Sequence, residues 1–157
     1  MCIRDRIELL VVVAIIGILA AVGTVAYTGY TKSAKKNAAG SNHAAVVKYV
    51  AAELQKCNLE TEAFKTSAGA TMTCTNKSKT DATGPTKAAA DALLDFKDPY
   101  GETSPAIIGQ LGATHTASTV KGTTVISTDG TTLQVSTCVS VCTGTDSDVK
   151  MNEVGIE

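Results

Sequence analysis

Large aromatic side chains and basic clusters are scarce in this 157-residue sequence. It contains two phenylalanines, four tyrosines and no tryptophan, and one tyrosine lies beyond Cys57. A domain with so few large side chains to bury needs support besides a large hydrophobic core. The net charge is −1, and no basic patch stands out in the sequence beyond Lys32, Lys35 and Lys36. Both observations argue against nucleic acid as the principal partner.

Catalytic and phosphate-binding patterns are also lacking. His43 and His115 are single histidines without a nucleophile or acid at a recognisable spacing, so we expect surface or packing roles for both. No phosphate-binding loop is present. Asp129, Asp146 and Asp148 do not have the spacing of an EF-hand, and a solvated acidic loop is expected there rather than a calcium site. The sequence predicts a non-enzymatic protein without a cofactor, a metal or a small-molecule substrate.

One long hydrophobic run is present, at residues 7–26, and Glu8 is its single charged residue. About 20 apolar residues are needed for an α-helix to cross a bilayer core. A carboxylate within that core costs a few kcal/mol unless it has a partner, which makes an intramembrane acid a functional candidate. The run is longer than a secretory h-region and no small-residue cleavage site follows it. We therefore expect a retained transmembrane helix.

Residues 27–56 continue the helix with a different character. Tyr27, Tyr30 and the lysines that follow suit a membrane interface, although a solvated helix face or DNA could also contact the lysines. No proline interrupts this segment, and a stripe at spacings of three and four residues is typical of an amphipathic helix: Ala39, His43, Val46, Val47, Val50 and Leu54. We expect one helix from Ile7 to about Lys56, whose first half lies in lipid or against copies of itself.

Four cysteines follow the hydrophobic run: Cys57, Cys74, Cys138 and Cys142. An even number in a small polar domain suits an oxidising compartment, so the C-terminal part is expected outside the cytoplasm. Three pairings are possible. Short loops favour Cys57–Cys74 and Cys138–Cys142, and the second pair requires a turn between its cysteines. Zinc is not expected, because the Cys-x-x-x-Cys pattern lacks a second ligand cluster nearby.

The sequence predicts a small globular head over residues 57–157. Residues 57–84 read as a polar connection, Pro85 suits the start of a short helix, and that helix should end before Asp98-Pro99. The Asp98-Pro99-Tyr100-Gly101 sequence is a common turn pattern. Asp129-Gly130 predicts a hairpin with a two-residue link. Strands are expected near residues 115–120 (joined through Lys121-Gly122), 123–128, 131–137 and 149–156. The predicted fold class is α+β, with a small antiparallel sheet packed on the polar half of the long helix.

The segment from Ile7 to Ala21 resembles the N-terminal segment of type IV pilins and of type II secretion pseudopilins. Tyr27, Tyr30 and Thr31, followed by a basic stretch, are also similar to many major pilins. The match covers the first third of the chain closely, and the rest only in layout. The resemblance implies a pilin fold and a subunit that a prepilin peptidase cuts and that is N-methylated. It also implies assembly by dedicated machinery, from the bacterial inner membrane into a surface filament for adhesion, motility or DNA uptake.

The resemblance also implies roles for particular residues. Glu8 aligns with the family's glutamate, which is thought to neutralise the N-terminal amine of a neighbouring subunit during assembly. The plainer alternative is a juxtamembrane charge that reaches the headgroups. The helix of the filament core would include Ile7, Leu9, Leu10, Gly17 and Gly23. Paired cysteines favour a pilin over a pseudopilin, because an exposed filament benefits from covalent cross-links.

Two features depart from the family pattern. Ile3, Arg4, Asp5 and Arg6 stand where the family has a glycine and then usually phenylalanine, threonine and leucine. No peptidase site is therefore visible, and residues 1–6 are expected to be an anomalous leader remnant. Val25 stands where many major pilins have proline. The alternatives are a pseudopilin, whose major forms have a motif similar to the turn at residues 98–101, and a single-span membrane-anchored periplasmic binding protein that does not polymerise.

Overall fold

The computed structural model describes residues 3–66, 69, 71–101, 105–115, 117–142 and 148–157. Contacts divide the chain into two compact units, Met1–Ala34 and Lys35–Glu157; the second is called the head below. The division falls inside the predicted amphipathic half of the helix, so most of that half belongs to the head. Of the expected leader remnant, residues 1 and 2 lie outside the described residues, and Ile3–Arg6 are helical.

The long helix is present as predicted. Helix α1 spans Ile3–Lys56 and its bounds agree closely with the expected Ile7 to Lys56. Five residues of the predicted stripe are buried within the head, which confirms the amphipathic pattern: Ala39, His43, Val46, Val50 and Leu54. Because no proline occurs in the segment, the backbone hydrogen bonding of the helix can continue over its whole length.

Among the described residues, the rest of the head contains one short α-helix, one 3-10 turn at Cys74–Asn76 and six strands: β1 Glu62–Ala63, β2 Met72–Thr73, α2 Pro85–Ala92, β3 Ile107–Ala113, β4 Thr124–Thr128, β5 Thr132–Cys138 and β6 Val149–Gly155. Strands β1 and β2 form an antiparallel pair, and the other four form a sheet in the order β3-β4-β5-β6. The hydrophobic core joins α1, α2 and this sheet. The fold class is α+β, as predicted.

The sheet is mixed because β3 runs parallel to β4, with Ile107 opposite Thr124. A strand was expected at residues 115–120, and the described residues of this range, 115 and 117–120, form none. The connection lies on the sheet instead, where the backbone N–H of Ser118 donates to the hydroxyl of Ser136 at 2.9 Å. A parallel neighbour cannot be reached through a tight turn. The predicted Lys121-Gly122 turn contacts β5, since Gly122 N–H donates to the carbonyl of Cys138 at 2.8 Å.

The predicted hairpin is formed by β4 and β5, and three residues separate the strands rather than two. The Asp129 carboxylate accepts from the backbone N–H groups of Thr132 at 2.7 Å and Thr131 at 2.8 Å. These bonds hold the pKa of Asp129 well below its usual range. Gly130 supplies the positive φ of 93° that the link requires. Asp129 therefore acts as a turn residue.

The short helix ends at Ala92, before Asp98-Pro99 as predicted. Its predicted apolar face is confirmed, because Ala89 and Leu93 are buried and Phe96 packs against the same core. The predicted polar connection contains the small β1–β2 pair. Two-residue strands leave almost no periodic signal in a sequence, so this pair could not be read from it.

Gly109 of β3 allows α2 to approach the sheet closely. A Cβ at this position would lie 2.4 Å from the carbonyl oxygen of Thr86. We expect Gly109→Ala to lower the free energy of unfolding by about 1–3 kcal/mol, because helix backbone must move to admit the methyl group. Gly155→Ala on β6 is the matched control, since no atom lies within 4 Å of its Cβ position. Urea denaturation followed by circular dichroism measures both, and equal stabilities would contradict the prediction.

Candidate functional site

The outstanding surface of the first unit is the apolar exterior of α1. Every residue from 6 to 30 is exposed, and a window of 18 residues has a mean hydropathy of 2.9 with none of it buried. Its large hydrophobic side chains between Ile7 and Val25 are 51–73% exposed. An exposed apolar surface of this extent marks a site of membrane or protein association. The helix is long and apolar enough to cross a bilayer.

The structure places Glu8 near the start of this surface. Glu8 is exposed, and it lines a shallow depression with Leu9, Val12 and Val13. Because these neighbours are apolar, any chain that covers this part of the helix also removes water from around the carboxylate. Burial of a carboxylate is unfavourable unless a cation accompanies it.

The other predicted helix residues lie on the same exterior. Ile7, Leu9 and Leu10 are 57%, 68% and 67% exposed. No atom lies within 4 Å of a Cβ built at Gly17 or Gly23, so both glycines leave shallow gaps in the helix surface. Small residues at such gaps allow two helix backbones to approach closely in a membrane.

Three threonines near the end of the hydrophobic run form side-chain hydrogen bonds within the helix. Thr24, Thr28 and Thr31 each donate to the carbonyl oxygen three residues earlier at 3.0 Å. A hydroxyl bonded within its own helix removes a cost of placing a polar group in lipid. Tyr27 and Tyr30, 69% and 75% exposed, lie beside them and suit a membrane interface.

Two of the three basic residues singled out in the sequence belong to the head and contact other parts of it. The ammonium of Lys36 lies 2.6 Å from the carboxylate of Asp148, and the ammonium of Lys35 lies 5.6 Å from the ring centre of Tyr100. The Lys36 contact raises the pKa of Lys36 and lowers that of Asp148. These contacts give the side chains of both lysines a partner within the protein, so neither nucleic acid nor lipid headgroups are needed to account for them. Asp148 is thus an ion-pair partner, and Asp146 lies outside the described residues.

The four head cysteines form two disulfides, Cys57–Cys74 and Cys138–Cys142, which are the pairs that short loops favoured. The first ties the end of α1 to the segment after β2. The second closes a small ring at the end of β5, with a Cα–Cα distance of 5.4 Å, and residues 139–141 form the turn that this pair requires. Disulfides of this kind persist in oxidising compartments.

Both histidines take part in hydrogen bonds between elements of the head. His43 is 4% exposed; its Nδ1 lies 2.9 Å from the hydroxyl of Thr137, and its Nε2 lies 2.8 Å from the side-chain oxygen of Asn152. It thereby joins α1 to β5 and β6. The Nε2 of His115 lies 3.0 Å from the hydroxyl of Thr132. Among the described residues, no group of three or more histidines, cysteines or acids could hold a metal ion.

Glu53 was not singled out from the sequence. It is 6% exposed, its Oε2 accepts from the backbone N–H of Phe64 at 2.7 Å, and its Oε1 pairs with the ammonium of Lys56. Phe64 is fully buried with a φ of 54°, so the carboxylate holds a rare backbone conformation. The sequence did contain one signal of this role: Glu53 lies three residues after Val50, on the buried face of the helix.

Tyr49 packs edge-to-face against Phe64, with ring centres 6.0 Å apart. Burial and then the nearby Glu53 carboxylate raise the pKa of Tyr49 to about 12. Since the folded state favours the neutral phenol, we expect stability to fall as the pH rises from about 10 through about 12. Tyr49→Phe should flatten this dependence in urea titrations between pH 8 and pH 12. Tyr27→Phe is the control on the exposed helix, and an equal flattening by both variants would refute the assignment.

No family model, no curated protein and no solved structure matches the chain. Its geometry nevertheless defines a class. It is an α+β protein with a long apolar N-terminal helix and a small sheet, which is compatible with a pilin-like fold.

Proposed function

We propose that this chain is the structural subunit of a type IV pilus. The observation that supports this function most directly is the exposed apolar exterior of α1 at residues 6–30. Such a surface must be covered, first by lipid and, after assembly, by the same helix of other copies. The segment from Ile7 to Ala21 resembles the N-terminal segments of pilins, which supports coverage of this surface by other copies of the helix after assembly. The disulfides suit a head that faces an oxidising exterior.

In this proposal Glu8 is the assembly contact. A carboxylate among Leu9, Val12 and Val13 loses its water when helices pack around it, and it then requires a cation. The N-terminal amine of a neighbouring subunit is the proposed cation. Ile7, Leu9 and Leu10 would pack in the filament core, and the gaps at Gly17 and Gly23 would admit neighbouring helices.

The remaining partners are proposed from the same resemblance. A prepilin peptidase would process the chain, and a separate assembly machinery would extract it from the inner membrane. Adhesion, motility or DNA uptake would then be properties of the polymer. The contacts of Lys35 and Lys36 with the head leave DNA contact by this group weakly supported.

Immunoelectron microscopy of cells that express the full chain tests the proposal. An antibody to the head should label long surface filaments, and filaments sheared from the cells should contain a chain that retains residues 7–26 by mass spectrometry. A chain retained in the membrane without long filaments would favour a pseudopilin or a membrane-anchored binding protein. A head released without residues 7–26 would identify a cleaved signal sequence and would overturn the proposal.

A further inference from the structure

Three turns that are distant in sequence meet beside the first turns of α1 within the head. They are the tyrosine turn (residues 98–101), the glycine turn (Lys121-Gly122) and the disulfide ring (residues 138–142). The tyrosine turn and the lysines of α1 were singled out in the sequence, and the proposed filament function explains neither of them. Their meeting point therefore calls for a separate explanation.

The three turns are closely fitted. A Cβ at Gly122 would lie 1.8 Å from the carboxylate of Asp98, and Gly122 has a φ of 76°, so glycine suits this position on both counts. Gly122 N–H donates to the carbonyl of Cys138 at 2.8 Å. The hydroxyl of Tyr100 donates to the carbonyl of Val139 at 2.6 Å. Both neighbouring turns are thus bonded to the disulfide ring.

Helix α1 is attached to this assembly through its two adjacent lysines. Lys36 pairs with Asp148 at 2.6 Å, and the hydroxyl of Ser140 donates to the same carboxylate oxygen at 2.7 Å. Lys35 lies over the ring of Tyr100, within the range of a cation–π interaction. We name these side chains the clasp: Lys35, Lys36, Tyr100, Ser140 and Asp148.

The position of Asp148 depends on the disulfide ring. Val139 N–H donates to the Asp148 carbonyl at 2.8 Å, and Asp148 N–H donates to the Val141 carbonyl at 2.7 Å. Together with the Ser140 hydroxyl, three consecutive ring residues hold Asp148. Opening the ring removes the covalent constraint on all three residues and increases the entropy that must be lost to align them.

The contact between α1 and the rest of the head also changes character along the helix. Residues 46–54 contribute buried Val46, Val50 and Leu54 to the core. Residues 35–43 make mainly polar contacts. The Asn42 side chain donates to the Lys97 carbonyl at 3.2 Å, the ring of His43 bonds to Thr137 and Asn152, and the fully buried apolar side chain is the small Ala39. Since apolar burial supplies most of the packing free energy, the two segments can separate independently.

We propose that the Cys138–Cys142 ring is a redox-sensitive lock that keeps residues 35–43 of α1 on the head through the clasp. A dithiol reductant supplies two electrons and two protons, the S–S bond breaks to give two thiols, and the reductant becomes a disulfide. The clasp contacts of Lys35 and Lys36 are then lost, and residues 35–43 separate from the sheet and turns of the head. Residues 46–54 stay packed against the hydrophobic core. Oxidation of the two thiols restores the contact.

Hydrogen exchange by mass spectrometry on the full chain in detergent micelles tests this lock. A helical segment without tertiary packing frays in water, so its amides exchange faster. In Cys138→Ser/Cys142→Ser, we expect exchange in residues 35–43 to rise about tenfold or more while residues 46–54 are unchanged. Cys57→Ser/Cys74→Ser is the matched control, which should leave residues 35–43 protected. Exchange that is unchanged, or that rises equally through residues 35–54, would overturn the proposal.

A second variant keeps the test valid if the cysteine variant fails to fold. Asp148→Asn leaves both disulfides intact and removes the charge that Lys36 contacts. We expect exchange in residues 35–43 to rise by a few-fold, and oxidised wild-type protein to remain protected until a dithiol is added. Protection that persists in both Asp148→Asn and the reduced wild type would refute the lock. These measurements require no filament, so their outcome is independent of whether the chain forms a pilus.

Discussion

We expect replacement of Glu8 with glutamine to abolish the surface filaments of the proposed pilus while the head folds normally. Glutamine keeps the size of the side chain and removes the charge that the proposed amine contact requires. Because the carboxylate would be enclosed by apolar side chains in the filament, loss of this contact leaves the neighbouring amine without a partner in a poorly solvated site. We expect at least a tenfold loss of sheared filaments, measured by immunoblotting of the sheared fraction and by electron microscopy.

The control for Glu8→Gln is Glu60→Gln, the same substitution at an exposed position of the head. It should leave filament number unchanged. Membrane levels of both variants, measured with an antibody to the head, separate an assembly defect from degradation. Normal filaments in Glu8→Gln and also in Glu8→Ala would reject the assembly role and favour a charge that lies at the headgroups.

Ile126→Ala lowers the stability of the head by about 2–5 kcal/mol, the range for truncation of a large buried aliphatic side chain. Ile126 is fully buried on β4, opposite Val135 of β5, and it belongs to the core shared by both helices and the sheet. The head has few other large side chains that could relax into the cavity. Urea denaturation of the full chain in micelles, followed by tyrosine fluorescence, measures the loss.

Ile108→Ala is the matched control, because Ile108 lies on the adjacent strand β3 and is 42% exposed. Its substitution should change stability by about 0.5 kcal/mol or less, the usual range for a surface position. If the two variants lose the same stability, the core does not lie on the face of the sheet where Ile126 places it.

The features that sequence reasoning predicted best have short-range causes. The α1 stripe that includes His43, Val46 and Val50 follows from helical spacing, and the hairpin follows from the Asp129-Gly130 turn. The disulfide pairs agree with the shortest loops. Each of these features depends on residues that are neighbours along the chain, so composition and spacing are sufficient to find it.

The features that sequence reasoning missed depend on long-range pairing. A strand was expected at residues 115–120, whereas the sheet contains β3 at Ile107–Ala113, which pairs in parallel with β4. No local pattern encodes such a parallel pairing. The Lys36–Asp148 ion pair joins residues more than a hundred positions apart. Glu53 was not singled out, because its role depends on the position of Phe64. At the candidate site, exposure of the apolar helix could be predicted, whereas the function of Glu8 stays a prediction.

The bonds of His43 set the order in which the head can be completed during synthesis. Its partners Thr137 and Asn152 lie 94 and 109 residues further along the chain, on strands β5 and β6. The helix is therefore synthesised long before the strands that cover its apolar stripe exist. Contacts of such large sequence separation slow folding, and the uncovered stripe is prone to aggregation in that interval. We therefore expect the apolar stripe of α1 to stay uncovered until β5 and β6 have been made.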